Sequence, residues 1–245
     1  MTTKEDVLKG CTVSDNIVSL PAVQLDRKLY MEVAKSLELI GGKWKGGKVM
    51  GFVFNEDPSE LLAQIQGGEK RNLKKEFQFF GTPNDLADEL VRNAEIKTEE
   101  LILEPSAGQG AIVKAIQRGT HDERTVYGYE LMPVNQTFLS KISGFRFLGD
   151  DFLNCDILFD KIIGNPPFHK NYDAIHIRKM YDCLKPKGRL VSIASRHWMD
   201  SKNKKEIEFV NWLKEVNAEI TNIPAGRFKE SGTNIATCKI IIDKH

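Results

Sequence analysis

The chain of 245 residues has little cysteine, and what it has is scattered. Cys11, Cys155, Cys183 and Cys238 form no Cys-x-x-Cys pair, which argues against a disulfide framework and against a thiolate metal site. Reduced, mostly buried thiols in a cytoplasmic protein, with no metal, are the expectation. No apolar run approaches the length of a membrane span, and Met1 to Gly10 is polar, without a signal-peptide core. A formal charge of +1 marks the chain as neither polyanion nor polycation, so any affinity for nucleic acid has to come from local patches. Neither a Gly-x-Gly-x-x-Gly nicotinamide fingerprint nor a Walker Gly-Lys-Ser/Thr is present, and there is no internal repeat or low-complexity tract. What remains is an ordinary globular composition, 41% hydrophobic and 28% charged, long enough for one large α/β domain and a small appendage.

Residues 1–20 carry no strong period, with Val13 to Pro21 reading as a short extended segment. From Asp26, the residues Tyr30, Val33, Leu37 and Ile40 fall at spacings of three and four, a helix that Gly41-Gly42 ends. Lys43 to Phe54 reads as two short strands around a Gly-Gly turn, and Pro58 to Gln66 as a second helix. Residues 1–70 are thus expected to form a small α+β module, helix–hairpin–helix and winged-helix-like. Its basic tip, Lys43 to Lys48 with Lys45 at the centre, is either a nucleic-acid contact or a solvated hairpin with ordinary surface lysines. Gly67 to Lys75 is polar and charge-rich, a linker that places the start of a second domain, residues 77–245, just beyond it.

The second domain alternates strand and helix. Thr82-Pro83 offers an N-cap and a first-turn proline to a helix reaching about Asn93. Strands are expected at Leu101–Glu104, Thr125–Glu130, Phe145–Leu148, Phe159–Gly164, Arg189–Ala194, Ala218–Ile223 and Ile235–Ile242, with helices between most of them and a turn at Lys185 to Gly188. This is α/β: a doubly wound, seven-stranded, mostly parallel Rossmann-like sheet, whose last two strands lack an intervening helix and pair antiparallel. Ligands in such sheets sit at the carboxyl ends of the strands.

Four stretches at those ends carry chemistry. Leu103-Glu104-Pro105-Ser106-Ala107-Gly108-Gln109-Gly110 is a strand end, a glycine-rich turn and a helix start, where backbone N–H groups can approach a ligand. Its acid, Glu104, suits an ammonium or sulfonium better than a phosphate. Tyr129-Glu130 ends the next strand with an acid able to hold a ribose hydroxyl pair. Asp150-Asp151-Phe152 ends the third with carboxylates and an aromatic, able to bond an adenine amino group and cover its ring. Acids as helix caps would explain one such ending, but not the set. Asn165-Pro166-Pro167-Phe168 is a strand stopped by two prolines that can continue neither a ladder nor a helix. Asn165 and the Pro166 carbonyl can accept hydrogen bonds from an amine, and Phe168 offers a face for a planar ring. By itself the tetrapeptide reads equally well as a corner with Asn165 capping and Phe168 packed inward.

Together with Phe79-Phe80-Gly81-Thr82-Pro83, these stretches resemble the S-adenosylmethionine-dependent amino-methyltransferases, and their order resembles the gamma class of adenine DNA methyltransferases, over about residues 77–245. The resemblance implies that Thr82 and the turn Glu104, Pro105, Ser106, Ala107, Gly108 and Gly110 hold the methionine part of S-adenosylmethionine. It implies that Glu130 bonds the ribose, that Asp151 (with Asp150 as the alternative) meets the adenine amino group, and that Phe152 packs beside that ring. Asn165, Pro166, Pro167 and Phe168 then form the catalytic loop, taking an adenine flipped out of duplex DNA. Phe228, before the last strand, is a candidate for the base edge, with packing under its loop as the alternative. Arg196 and Trp198, in the basic stretch Lys185 to Lys205, are candidates for nucleic-acid contact. His169 reads as a capping or surface residue.

Gamma-class enzymes usually carry a sizeable recognition domain after the last strand, which is not read here. Target readout is therefore expected from the N-terminal module, from the loops near Arg196 and Phe228, or from a protein partner or second copy. Asn-Pro-Pro-Phe-His also resembles ribosomal RNA guanine methyltransferases, and protein-glutamine methyltransferases use a related Asn-Pro-Pro-Tyr. RNA amino-methylation, of guanine or adenine, is the alternative activity, and a catalytically inactive binding subunit is the non-enzyme alternative.

Overall fold

The computed structural model describes residues 2–54, 57–68, 81–120, 124–224, 226–228 and 235–245. The linker from Glu69 onward, Phe79-Phe80 and the stretch Lys229 to Asn234 lie outside the described residues. The chain divides into two units, Met1–Phe79 and Phe80–His245.

In the first unit, helix α1 (Lys4–Lys9) is closed by a reciprocal cap. The Asp6 N–H donates to Thr3 Oγ1 at 3.2 Å, and the Thr3 N–H donates to Asp6 Oδ2 at 2.9 Å. Strands β1 (Thr12–Ser14) and β2 (Ile17–Ser19) form a hairpin across Asp15-Asn16, with Asp15 at φ 52°. The sequence led us to expect only an extended stretch here, because elements of three and six residues are too short to display a period. Helix α2 (Arg27–Leu39), capped by Asp26, buries Val33, Ala34 and Leu37. Strands β3 (Lys43–Lys45) and β4 (Gly51–Val53) complete an antiparallel sheet in the order β1-β2-β4-β3, and helix α3 (Ser59–Gln66) follows. Strand β3 is an edge strand with all three residues exposed, and Trp44 stands edge-on to Tyr30 and Phe52.

The second unit begins with helix α4 (Asn84–Ala94), then β5 (Ile102–Glu104), α5 (Ala111–Thr120), β6 (Val126–Tyr129), α6 (Pro133–Leu139), β7 (Phe145–Gly149) and β8 (Phe159–Gly164). It closes with α7 (Tyr172–Asp182), β9 (Leu184–Ser195), α8 (Lys204–Glu215), β10 (Glu219–Ile223) and β11 (Thr237–Asp243). Seven strands form one sheet in the order β10-β11-β9-β8-β5-β6-β7. Strands β9, β8, β5, β6 and β7 run parallel, and β11 is antiparallel to both β9 and β10. Alternation sorts the core onto two faces. Ile102 and Ile163 pack with Leu86 and Leu90 of α4 and Ile112 and Ile116 of α5. Their neighbours Leu103 and Ile162 pack on the other side with Ile177 and Met180 of α7 and Phe209 and Leu213 of α8.

Two sequence expectations need correction. Thr82 does not cap α4: the helix starts at Asn84 after an extended Pro83 (φ −56°, ψ 143°), with no side-chain cap, because the Thr82 hydroxyl is engaged elsewhere, by Asn165. The turn expected at Lys185 to Gly188 is a bulge inside β9. Phe159 faces Leu184 and Lys161 faces Arg189, so β9 spends three more residues than β8 over that interval. The Lys187 N–H donates to the Lys244 carbonyl at 2.7 Å, which keeps the bulged strand attached to the chain after β11.

Candidate active site

Because β5 to β9 are parallel, Glu104, Glu130, Asp150, Asp151, Asn165 and Ser195 all come to one edge of the sheet, at the carboxyl ends of their strands. Glu104 is 2% exposed, and its Oε2 has no partner among the described residues. Burial, and then the charge of neighbouring Glu130, pushes its carboxyl well above the usual range; a backbone N–H at Val113 acts in the opposite direction. A buried acid with a spare acceptor fits a ligand that brings a cation or an N–H donor.

The glycine-rich turn wraps this acid. Gly108 and Gly110 have φ of 54° and 81°, and a Cβ at Gly110 would meet Ile142 Cδ1 at 2.3 Å. The Ala107 N–H donates to the Tyr129 carbonyl at 2.9 Å, tying the turn to the end of β6. Ser106, on the same turn, has its Oγ 3.5 Å from His176 Nδ1.

Glu130 is a hub. Its Oε2 accepts from the Gly108 N–H at 2.7 Å, and its Oε1 accepts from the Met132 N–H at 2.8 Å and from Asn135 Nδ2 at 3.2 Å. Burial raises its carboxyl above the ordinary range, and these hydrogen bonds pull it back. Asp150 Oδ1 accepts from Gln136 Nε2 at 3.0 Å, while Asp151 Oδ1 accepts from the Leu153 N–H at 2.9 Å and caps the short 3₁₀ turn Phe152–Asn154. Both aspartates are exposed. Phe152 is buried, its ring 5.8 Å from Tyr129 and 5.6 Å from His176. Desolvation lowers the His176 ring to about 4, so it is neutral at physiological pH.

At the end of β8, Asn165 Nδ2 donates to Thr82 Oγ1 at 3.1 Å, and its Oδ1 is withdrawn from solvent. Pro166 is buried and Pro167 half-buried. Phe168, expected to offer its face to a base, and Phe228, for which packing under its loop was the alternative to the base edge, are both buried in the same core cluster as the inward residues of α4 and α5. Trp198 is also buried, edge-on to Phe209, and presents no surface for stacking; Arg196 beside it is half-buried. The physical reason is common to all three aromatics: each follows or precedes a strand end, where the helices that flank the sheet offer apolar cover. Lys45 lies on β3 of the first unit. The structure therefore groups Thr82, Glu104 to Gly110, Glu130, Asp151 and Asn165 to Phe168 along one sheet edge.

Sequence reasoning missed the Thr82–Asn165 bond, the neutral His176 and a buried Asp173–Ser195 pair described below. Only Ser195, at a strand end, carried a usable positional signal.

No protein-family model matches the chain, and no curated protein sequence matches it. Solved structures do. The methyltransferase subunit of a type I restriction-modification system from Streptococcus thermophilus superposes with a TM-score of 0.58 at 19% identity, over 67% of this chain and 44% of that one. The fold is that of the class I methyltransferases. The M protein of the type I restriction enzyme EcoKI shares this methyltransferase fold over 90% of the present chain and 51% of its own, with a TM-score of 0.56 at 16% identity. So does the 23S rRNA methyltransferase ErmE, over 68% of this chain and 70% of that one, with a TM-score of 0.51 at 12% identity. The chain spans less than half the length of the Streptococcus thermophilus subunit. Among the described residues no helix is long and apolar enough to cross a membrane, and no cluster of three metal-ligating side chains occurs.

Proposed function

We propose that the chain transfers a methyl group from S-adenosylmethionine to the exocyclic amino group of adenine in DNA, in the manner of the gamma class. The observation that carries this reading is the placement of Asn165, anchored to Thr82, on the same strand edge as the buried, cation-seeking Glu104.

Glu104 and the turn to Gly110 would hold the methionine part, Glu130 the ribose, and Asp151 with Phe152 the adenine of the cofactor, which supplies a methyl group activated on a sulfonium. The residues of this chain do the rest. An adenine amino nitrogen is a poor nucleophile because its lone pair is delocalised into the ring. Acceptors at Asn165 Oδ1 and the Pro166 carbonyl, aimed at its two hydrogens, draw the nitrogen toward tetrahedral geometry and localise that pair. They also stabilise the positive charge that grows on the nitrogen as the N–C bond forms and the S–C bond breaks. The methylated nitrogen then releases a proton to solvent, so no strong base is required. Thr82 keeps the Asn165 amide from rotating, which is positioning in advance of reaction. The target base would have to leave its stack, at a cost of a few kcal/mol, and Phe168 and Phe228 would have to turn out of the core to meet it.

Target contact is assigned to Lys45 and its neighbours Lys43 and Lys48 in the first unit, to Arg196, and to a partner protein or second copy. From Gly41 to Phe54 the chain carries three lysines and no acid, a pattern that suits a phosphate backbone. RNA amino-methylation is the second reading. It is favoured by the ribosomal RNA methyltransferase, of which the chain spans 70%.

The test is methyl transfer from labelled cofactor to duplex DNA, RNA and protein in parallel, with mass spectrometry of the digested nucleosides. Methyladenine from DNA supports the proposal. Methylguanine from RNA alone would replace it with the second reading, and an absence of cofactor binding by calorimetry would favour an inactive binding subunit.

A further inference from the structure

Directly after Phe168 the chain makes an unusual turn. Lys170 (φ 51°, ψ 31°) and Asn171 (φ 63°, ψ 25°) are both left-handed, and neither is a glycine. Such a conformation costs roughly 1–2 kcal/mol per residue, so two in succession need an external hold. The hold comes from a chain of polar side chains drawn from three elements. Asp173, fully buried in the first turn of α7, accepts at Oδ2 from both the N–H of Ser195 at 2.9 Å and its Oγ at 2.6 Å. Ser195 Oγ is hydrogen-bonded to His197 Nδ1, and His197 Nε2 to Asn171 Oδ1. Asn171 Nδ2 donates to Glu206 Oε1 on α8 at 2.8 Å.

The components resemble those of a hydrolase triad, but the wiring does not: the carboxylate is bonded to the serine rather than to the histidine, and Ser195 is 2% exposed. Its direction can be read from the ends. Glu206 accepts, so the Asn171 amide must present nitrogen to it and oxygen to His197, and Nε2 must carry a proton. At the other end, an ionised Asp173 takes the Ser195 hydroxyl proton, so Nδ1 must also donate to Ser195 Oγ. If the proton sits on Asp173 instead, Ser195 donates to Nδ1, and the total is unchanged. The chain is therefore complete only when it holds one proton more than an ionised Asp173 with a neutral His197. Removing that proton sets two lone pairs against each other at Ser195 or at Asn171.

We propose that His197 and Ser195 are positioning residues for the Asn165-to-Phe168 loop, and that the relay Asp173–Ser195–His197–Asn171–Glu206 holds this loop in place only while it carries its extra proton. The inference rests on the amino-methyltransferase reading of that loop. Thr82 fixes the loop at its start and the relay fixes it at its end, and His169, stacked on Tyr172 at 4.9 Å, lies between Phe168 and the left-handed pair. Among the described residues, the titratable and charged groups around the relay are Asp173 on α7, Glu206 on α8, whose Oε1 also lies 3.5 Å from His197 Nε2, Arg196 beside His197 and Cys238 on β11. Burial pushes the Cys238 thiol up to about 12, so it is not the source of the relay's extra proton.

The experiment uses the full chain. Nitrogen-15 NMR of labelled histidine, with carbon-13 NMR of the Asp173 carboxyl, is expected to find the extra proton on the relay wherever methyl transfer is maximal, on His197 or on Asp173, and its loss at higher pH to run parallel with a fall in the single-turnover rate. Ser195→Ala should lower that rate about tenfold, the worth of one charge-assisted hydrogen bond, with cofactor affinity held within about twofold by calorimetry. Glu206→Gln, at a less buried position, should move both the proton loss and the alkaline fall in rate to lower pH. A singly protonated His197 together with an ionised Asp173, at a pH where transfer is maximal, overturns the proposal, and so do identical pH profiles for the wild type and Glu206→Gln. If the wild type methylates no nucleic acid while the relay still holds its extra proton, the activity reading fails, and the positioning role with it, but the protonation assignment stands.

Discussion

Asn165 Nδ2 donates to Thr82 Oγ1 across 3.1 Å, joining the residue that follows β8 to one that lies 83 positions earlier in the chain. The bond assigns the amide nitrogen of Asn165 to Thr82 and so orients the Oδ1 that the proposed mechanism uses. Thr82→Val keeps the shape and removes the hydroxyl. It is expected to reduce methyl transfer roughly tenfold, the worth of one hydrogen bond near 1.4 kcal/mol, while Thr82→Ser stays close to the wild type. Single-turnover rates for the three proteins check this, and equal rates for valine and serine would show that the anchor is irrelevant to chemistry.

Asn165→Ala removes the acceptor itself. Methyl transfer should fall by at least about a hundredfold, in line with the removal of one preorganised oxyanion-type donor or acceptor, with cofactor binding largely intact. A calorimetric titration beside a rate measurement separates the two effects. A variant that turns over normally would end the assignment of this loop.

Glu104 makes stability pH-dependent in a defined sense. Its folded-state carboxyl titrates well above the ordinary range, so the fold holds the proton more tightly than the unfolded chain does. Below the unfolded value, about 4.3, the group makes no difference. As the pH rises beyond it the unfolded state ionises first and stability declines, until the folded carboxyl has also ionised. Glu104→Gln should therefore raise the melting temperature of the ligand-free protein at neutral pH and leave it unchanged near pH 4. A cationic ligand should expel the proton, and calorimetry in two buffers of different ionisation enthalpy would detect its release in the wild type and not in the variant.

Gly110→Ala tests the turn. A Cβ there meets Ile142 Cδ1 at 2.3 Å in a backbone with φ of 81°. The expected cost is about 1–3 kcal/mol by denaturant titration, together with weaker cofactor binding. Unchanged stability would show that the turn relaxes freely.

Lys43, Lys45 and Lys48 all changed to Ala should weaken duplex binding and reduce the slope of log affinity against log salt by roughly 2–3, about 0.9 for each phosphate that is no longer neutralised. Filter binding at several salt concentrations reads the slope directly. An unaltered slope assigns these lysines to an ordinary solvated hairpin.

The doubly wound sheet was legible because each of its long strands is an apolar run bounded by turn residues, as Phe159 to Gly164 shows by matching its observed limits. The antiparallel pairing of β10 with β11 followed from the lack of a helix between them. Position along the sheet edge was legible too, since parallel strands put their ends together. Partners across the chain were not. Nothing local says that Thr82 will decline to cap α4 and bond Asn165 instead, and the local preference of Thr-Pro pointed the other way. Phe168 and Trp198 looked available because exposed loops were expected around them, Phe228 stood open between a base edge and packing, and the packed helices cover all three. The Asp173–Ser195–His197 relay draws on residues 22 and 2 positions apart and has no recognisable spacing.

The three hydrogen bonds that converge on Glu130 set a condition on whatever enters the site. Both carboxylate oxygens are already engaged, by Gly108, Met132 and Asn135. Oε1 already takes two of them and Oε2 one, so among the described residues the carboxylate keeps room for one more donor, and that room is on the oxygen the glycine turn holds. A ligand hydroxyl can bond there while the Gly108 N–H stays in place, whereas a ligand carboxylate would meet a like charge. Whatever binds at this strand end is therefore selected as a donor by a group that the turn has already oriented.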